Sequence, residues 1–316
     1  MKSIPHPFLR KLSWFIKIAI VIAAAFYIYQ KIARRSDLSL FMEHFNESLR
    51  NHVCLFLGVF IMLFVNWGLE AWKWKLLVSH LYPISFGRAC RAVLAGVTTG
   101  IFTPNRAGEF GGRVFDLPRD IRVQAALLSF TGGFVQLGVT VVAALPAVFI
   151  CSSCDVFMRS HLWLSLILIS GLIITMIVLW LLKERIAPRA TEYFRLFQSY
   201  SALHWMKIAS ISVLRYLVFS TQFFLLLYAF GIRAEIPEVF SAIALTFFAT
   251  TVIPTFALSE IGIRGSVSVI FLGMYSTDTA AILASSFLLW IINIALPALT
   301  GIVFVLQLDS ITKAKK

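Results

Sequence analysis

The chain has 316 residues, of which 59% are hydrophobic and 14% charged, with a mean hydropathy of +0.86. A soluble core of this length cannot hide that much apolar surface, whereas a bilayer can. The net charge of +13 invites a nucleic-acid reading, but the lysines and arginines lie in short loops between apolar stretches, where anionic lipid headgroups suit them better.

Six stretches are long enough to cross a membrane: Trp14–Ile32, Val53–Trp72, Ile121–Ile150, His161–Leu182, Lys207–Gly231 and Thr279–Leu308. The first is followed by Ala33-Arg34-Arg35-Ser36-Asp37, a poor cleavage site, so a retained span and an outer loop are expected over residues 1–50. Two further regions are apolar but interrupted. Residues 86–117 break at Thr103-Pro104-Asn105, and residues 237–275 break at Pro254-Thr255. Each predicts two half-length helices around a polar break, as a re-entrant hairpin or a broken helix, tolerated only where protein or a wet cavity shelters the freed backbone. Residues 151–206 supply a linking span and a cytoplasmic segment. Cys151 and Cys154 lie there without a second ligand pair, and the six histidines fall at or beyond span ends, so no metal site is expected.

The chain repeats itself. Glu109-Phe110-Gly111-Gly112-Arg113 and Glu260-Ile261-Gly262-Ile263-Arg264 share the pattern E-x-G-x-R, 151 residues apart, and Ala144-Leu145-Pro146-Ala147 recurs at the same offset as Ala295-Leu296-Pro297-Ala298. Each half then reads span, hairpin, over-long span, over residues 51–150 and 207–308. Three crossings separate the starts of the two halves, and an odd number turns the second upside down. The expected fold is an all-α polytopic membrane protein, one integral domain over residues 1–316. It has six full spans and two hairpins arranged as inverted repeats, a geometry suited to alternating access. With the N-terminus inside, eighteen Lys and Arg, Lys73 among them, face the cytoplasm and six face outward. That bias places both termini in the cytoplasm and the chain in the inner membrane. Trp14, Trp72, Trp74, Trp163, Trp180 and Trp205 are expected to form an interfacial belt.

Ionisable residues inside apolar stretches are costly and point to function. They are Arg106, Arg113, Arg215 and Arg264 with Glu70, Glu109 and Glu260, a surplus of one positive charge. Glu109 and Arg113, like Glu260 and Arg264, are four apart and can pair on one helix face. Arginine matches phosphate through its fork of donors, and helix N-termini after the breaks, with Asn105 and Ser259 as caps, favour anions. Arg215 and Gln222 share a helical face, as do Asn66 and Glu70, and each pair is a candidate cavity lining. Asn293 and Gln136 read as hydrogen-bond links between helices. No Walker loop, dinucleotide fingerprint or HExxH occurs, so neither an enzyme nor a cofactor is expected.

Lys73-Trp74-Lys75-Leu76-Leu77, Thr103-Pro104-Asn105-Arg106-Ala107-Gly108-Glu109 with Arg113, and Pro254 through Glu260 resemble the lysylphosphatidylglycerol synthase transmembrane region. That is the flippase-like module of the multiple peptide resistance factor, also found as stand-alone membrane proteins. The resemblance runs from about Val53 onward. It implies movement of a lipid, typically an aminoacylated phosphatidylglycerol, between leaflets, with Glu109, Arg113 and Glu260 as the matching positions. The chain departs from the family where Thr255-Phe256-Ala257-Leu258 replaces a segment usually richer in glycine and proline. The aminoacyl-transfer domain is also missing, so a synthase is not expected.

The function expected is therefore a flippase or transporter for an anionic or aminoacylated lipid. Its headgroup would be held by Arg106, Glu109, Arg113, Arg215, Glu260 and Arg264. A secondary transporter of a small anionic or amino-acid solute, and a non-transporting partner of polyprenyl-phosphate glycosyltransferases, are the alternatives. Membrane lipids are the expected partners, with a second copy of the chain and a separate lipid-modifying enzyme left open. The charge bias predicts that a green fluorescent protein fused to the C-terminus fluoresces and that alkaline phosphatase fused there is inactive; the reverse pattern would invert the topology.

Overall fold

The computed structural model describes residues 38–101, 103, 106–150, 196–253 and 257–314. The regular structure among them is entirely helical. Helix α1 spans Leu38–Asn51, where a loop was expected, and α2 spans Val53–Val78. The first interrupted region forms α3, Phe86–Ile101, and the five-residue α4, Gly108–Gly112. A 3-10 turn at Arg119–Ile121 leads into α5, Arg122–Ile150. The second half comprises α6 (Ala202–Ala229), α7 (Ile236–Val252), α8 (Ala257–Leu272) and α9 (Thr279–Trp290), which continues through a π segment, Ile291–Ala295, into α10 (Leu296–Ala314).

Among the described residues, four helical stretches are long and apolar enough to cross a membrane: 53–78, 119–147, 202–229 and 279–306. Leu57, Phe60, Ile61, Phe64 and Val65 on α2, and Leu299, Val303 and Leu306 on α10, are exposed, the surface a hydrocarbon solvent wants. The expected spans Trp14–Ile32 and His161–Leu182, the breaks at Pro104-Asn105 and Pro254-Thr255, and Cys151 and Cys154 lie outside the described residues.

Local chemistry explains the helix ends. Ser201 caps α6 by accepting from the His204 N–H, and Gly231, at φ +87°, closes it, with the Ile232 N–H donating to Leu227 O at 3.0 Å. Asp278 caps α9 by accepting from the Ala281 N–H at 2.9 Å. The π segment has a cause in Pro297, whose ring would collide with the carbonyl of Asn293, four residues back, in a regular helix. Widening the turn relieves that clash and leaves Asn293 buried.

The packing is exchanged between halves. The first helices, α2 and α6, pack on each other; α3 lies on α10, and in return α7 lies on α5. Two apolar cores result. One gathers Trp74, Leu77, Val93, Leu128 and Ile208, the other Val59, Phe223, Leu226, Ile243 and Leu289. Both α2 and α6 run through the two cores, which leaves their middle turns between them. At one end Tyr200 donates to Leu77 O at 2.5 Å, and a ring nitrogen of His204 lies 3.1 Å from Leu76 O, so the last carbonyls of α2 are satisfied by residues around the start of α6. Burial pushes the Tyr200 phenol up to about 12, which keeps it a donor.

The first hairpin is not the pair of half-length helices expected, since α4 is barely more than one turn. Glycines let it lie against α3. A Cβ on Gly96 would sit 2.8 Å from Arg113 Cγ and 2.9 Å from Glu109 O, and one on Gly112 would run into Thr99 Oγ1. Gly96 and Gly100 on α3 thus face Gly108 and Gly112 on α4, both at i, i+4 spacing, and the backbones approach as only small residues allow. Thr99 Oγ1 donates to Gly108 O at 2.8 Å, and Thr103 Oγ1 accepts from the Gly108 N–H at 2.7 Å. Gly112→Ala should cost roughly 1–3 kcal/mol through this overpacking. Gly111→Ala, with nothing within 4 Å, should be close to neutral. Thermal unfolding of the two purified variants in detergent gives the comparison.

Candidate functional site

Glu70 sits about two-thirds of the way along α2 and is 3% exposed. Three cations converge on its carboxylate: Arg113 NH1 at 2.7 Å, Lys73 Nζ at 2.8 Å and Arg215 NH1 at 2.8 Å. They arrive by different routes. Lys73 is one turn along the same helix, Arg113 follows α4 directly, and Arg215 comes from mid-α6 in the other half. Glu109 extends the cluster, its Oε2 3.3 Å from Arg113 NH2 and its Oε1 2.5 Å from Arg106 NH2. Glu70, Lys73 and Arg113 are buried, while Arg106, Arg215 and Glu109 keep 25%, 22% and 17% of their side chains exposed, so the cluster opens along one edge.

A polar scaffold holds the charges in place. Arg215 Nε donates to Asn66 Oδ1 at 3.0 Å, and Asn66 Nδ2 donates to Asn293 Oδ1, in the π segment, at 2.9 Å. The Arg215 guanidinium also lies 5.4 Å from the centre of the Trp67 ring. Lys73 Nζ donates to Gln136 Oε1 at 3.4 Å, and Gln136 Nε2 donates to Ser212 O at 3.2 Å, tying α5 to α6. Arg106 occupies the left-handed region at φ +56°, uncommon for a residue with a side chain and a form of strain that clusters at functional sites.

Six of the sequence-derived residues therefore meet in one cluster: Asn66, Glu70, Arg106, Glu109, Arg113 and Arg215. The other three behave differently. Glu260 and Arg264 form the expected i, i+4 pair at 2.9 Å, with Arg264 5.8 Å from the Phe219 ring centre, and no ion pair among the described residues links them to Glu70 or Glu109. Gln222 is fully buried and donates to Val59 O at 2.9 Å. It faces α2, as Arg215 does two turns away, but as a bond between helices. Asn293 and Gln136 make the interhelical links expected of them.

Two expectations need correction. Lys73, counted among the cytoplasmic loop charges, is 1% exposed, because the i, i+3 spacing from Glu70 directs it inward. That spacing was the signal available. The charge surplus of the cluster is consequently larger than one, with four cations against two carboxylates. Trp74, assigned to the interfacial belt, is completely buried in the core around Leu77, whereas its neighbour Trp72 is 52% exposed. The expected helix-terminus contribution at the first hairpin also shrinks, since α4 is too short to build up a dipole. Asn105 lies outside the described residues.

The chain matches the family model described as Lysylphosphatidylglycerol synthase TM region over residues 14–301. No curated protein and no solved structure matches it.

Because one carboxylate contacts three cations, removing it should hurt more than breaking an isolated pair. Glu70→Gln should destabilise the protein by about 3–5 kcal/mol, the usual cost of orphaning a buried charge. Glu260→Gln, which orphans a single arginine, should cost less. Unfolding midpoints of both variants in one detergent give the ranking, and equal losses would contradict the hub role.

Proposed function

The chain belongs to the lysylphosphatidylglycerol synthase TM region family, and from that membership we propose that it moves a lipid between the leaflets of the inner membrane. The headgroup travels through the cluster around Glu70, while the acyl chains stay in the bilayer. The observation that carries this reading is the convergence of Lys73, Arg113 and Arg215 on one buried carboxylate, with an open edge at Arg106, Glu109 and Arg215. Charges at this depth are expensive without a task. A cluster drawn from both halves changes its shape whenever the halves move.

The exchanged packing of α3 on α10 and α7 on α5 supports an inverted-repeat reading, in which each hairpin rests on the closing helix of the other half. Rocking one half against the other would slide α2 past α6 and pull Arg215 away from Glu70. In this reading both termini are cytoplasmic. Glu260 and Arg264 mark the corresponding place in the second half, a neutral pair that serves the opposite face of the cycle.

Proteoliposomes carrying the purified protein should exchange a fluorescent phospholipid between leaflets faster than empty liposomes, as read by dithionite quenching. Arg215→Ala and Arg113→Ala should each slow that exchange on the order of tenfold, the equivalent of about 1.4 kcal/mol of lost headgroup interaction. Unchanged rates in both variants would move the headgroup path elsewhere. Uptake of a small anionic solute without lipid exchange would favour a solute carrier.

A further inference from the structure

We propose that the Glu70 cluster selects a headgroup whose net charge is negative and resides on phosphate, and discriminates against one made cationic by an aminoacyl group. The inference rests on the lipid-transport reading above and sharpens its substrate class. Its first support is the charge balance. Lys73, Arg106, Arg113 and Arg215 stand against Glu70 and Glu109, which leaves +2 among interacting side chains. If Lys73 gave up its proton the cluster would still be positive. In a medium of low polarity such a surplus calls for an anion. A phosphodiester brings about one negative charge and a phosphomonoester about −1.5 to −2. A lysylated phosphodiester, with two ammonium groups against one phosphate, brings net positive charge into a site that already has too much.

The second support is independent of charge and concerns donors and acceptors. The side-chain oxygens that hold the cluster together are already engaged. Both Glu70 oxygens and both Glu109 oxygens face cations, Asn66 Oδ1 accepts from Arg215, Asn293 Oδ1 accepts from Asn66, and Gln136 Oε1 accepts from Lys73. The nitrogens are in surplus. Arg113 Nε and Arg106 Nε are buried without a hydrogen-bond partner among the described residues. Phosphate oxygens only accept and match guanidinium forks, whereas an ammonium only donates. A lysyl ammonium would have to share oxygens that arginine, lysine and asparagine donors already engage. Gln222 Oε1 is a buried oxygen without a partner among the described residues, but it lies two turns along α6 beside Val59.

The test separates binding from movement. Detergent-purified protein is titrated with phosphatidic acid, phosphatidylglycerol and lysyl-phosphatidylglycerol, and bound lipid is counted by native mass spectrometry. The same labelled lipids are followed for leaflet exchange in phosphatidylcholine liposomes. At least tenfold preference for either anionic lipid over the lysylated one, reduced several-fold in Arg215→Gln, supports the inference. The ratio of phosphatidic acid to phosphatidylglycerol then tells a monoester source from a diester. Should Arg215→Gln fail to fold, Arg106→Gln at the exposed edge gives the same readout. Equal or stronger binding of the lysylated lipid, or no lipid binding, overturns the inference. Anionic preference in binding without leaflet exchange upholds the selectivity and overturns the transport reading alone, while exchange that favours the lysylated lipid does the opposite.

Discussion

A single carboxylate contacted by three cations organises the centre of this molecule. Glu70 meets Lys73, Arg113 and Arg215 within 2.7–2.8 Å. Each of those cations would be costly in an apolar interior on its own, and all of them meet this acid, with Arg113 sharing Glu109 as a second partner. Their positions follow from that dependence. Arg113 reaches Glu70 only if α4 lies close against α3, which needs Gly96 and Gly112. Arg215 reaches it only if α6 crosses α2 at mid-length. The Asn66–Asn293 bond draws in the π segment, whose geometry traces to Pro297. The close glycine packing, the helix crossing and the widened turn thus all converge on this one acid.

The same dependence separates the two halves in kind. Both carry the E-x-G-x-R pattern, and both realise it as an i, i+4 contact. In the first half the pair is recruited into a larger network, because α2 supplies a glutamate with its own lysine and α6 supplies a further arginine. The described ion pairs of the second half leave Glu260 and Arg264 as a neutral couple beside Phe219. The two halves thus carry the same short pattern with unequal electrostatics. In the lipid-transport reading proposed above, that inequality would let a headgroup be held on one side of the cycle and released on the other.

Hydropathy was enough to read the class of the fold, because twenty apolar residues in a row have few other destinations than a bilayer. The spans at 53–78, 119–147, 202–229 and 279–306 begin and end close to where composition puts them. The repeat and its offset were equally plain, being identities between residues. The candidate residues were legible for a related reason. An arginine or glutamate among leucines stands out in a hydropathy reading, and Glu70, Arg106, Glu109, Arg113 and Arg215 were found that way, with Asn66 added by its i, i+4 spacing from Glu70. Lys73 was missed because it lies next to Trp72, Trp74 and Lys75 near the end of α2, where a cytoplasmic assignment satisfies the charge bias equally well.

Composition, span lengths, the internal repeat and the identity of the buried charges other than Lys73 were determined by the sequence alone, since each depends on residue type and spacing along the chain. The partners were decided only by tertiary structure. Spacing pairs Glu109 with Arg113 and Glu260 with Arg264, because four residues make one helical turn. Nothing in spacing joins Glu70 to Arg113, 43 residues away, or Asn66 to Arg215, 149 residues away. Those contacts depend on how closely α4 approaches α3 and where α6 crosses α2. Both follow from side-chain volume and backbone clearance between helices, which act across space and leave no period in the chain.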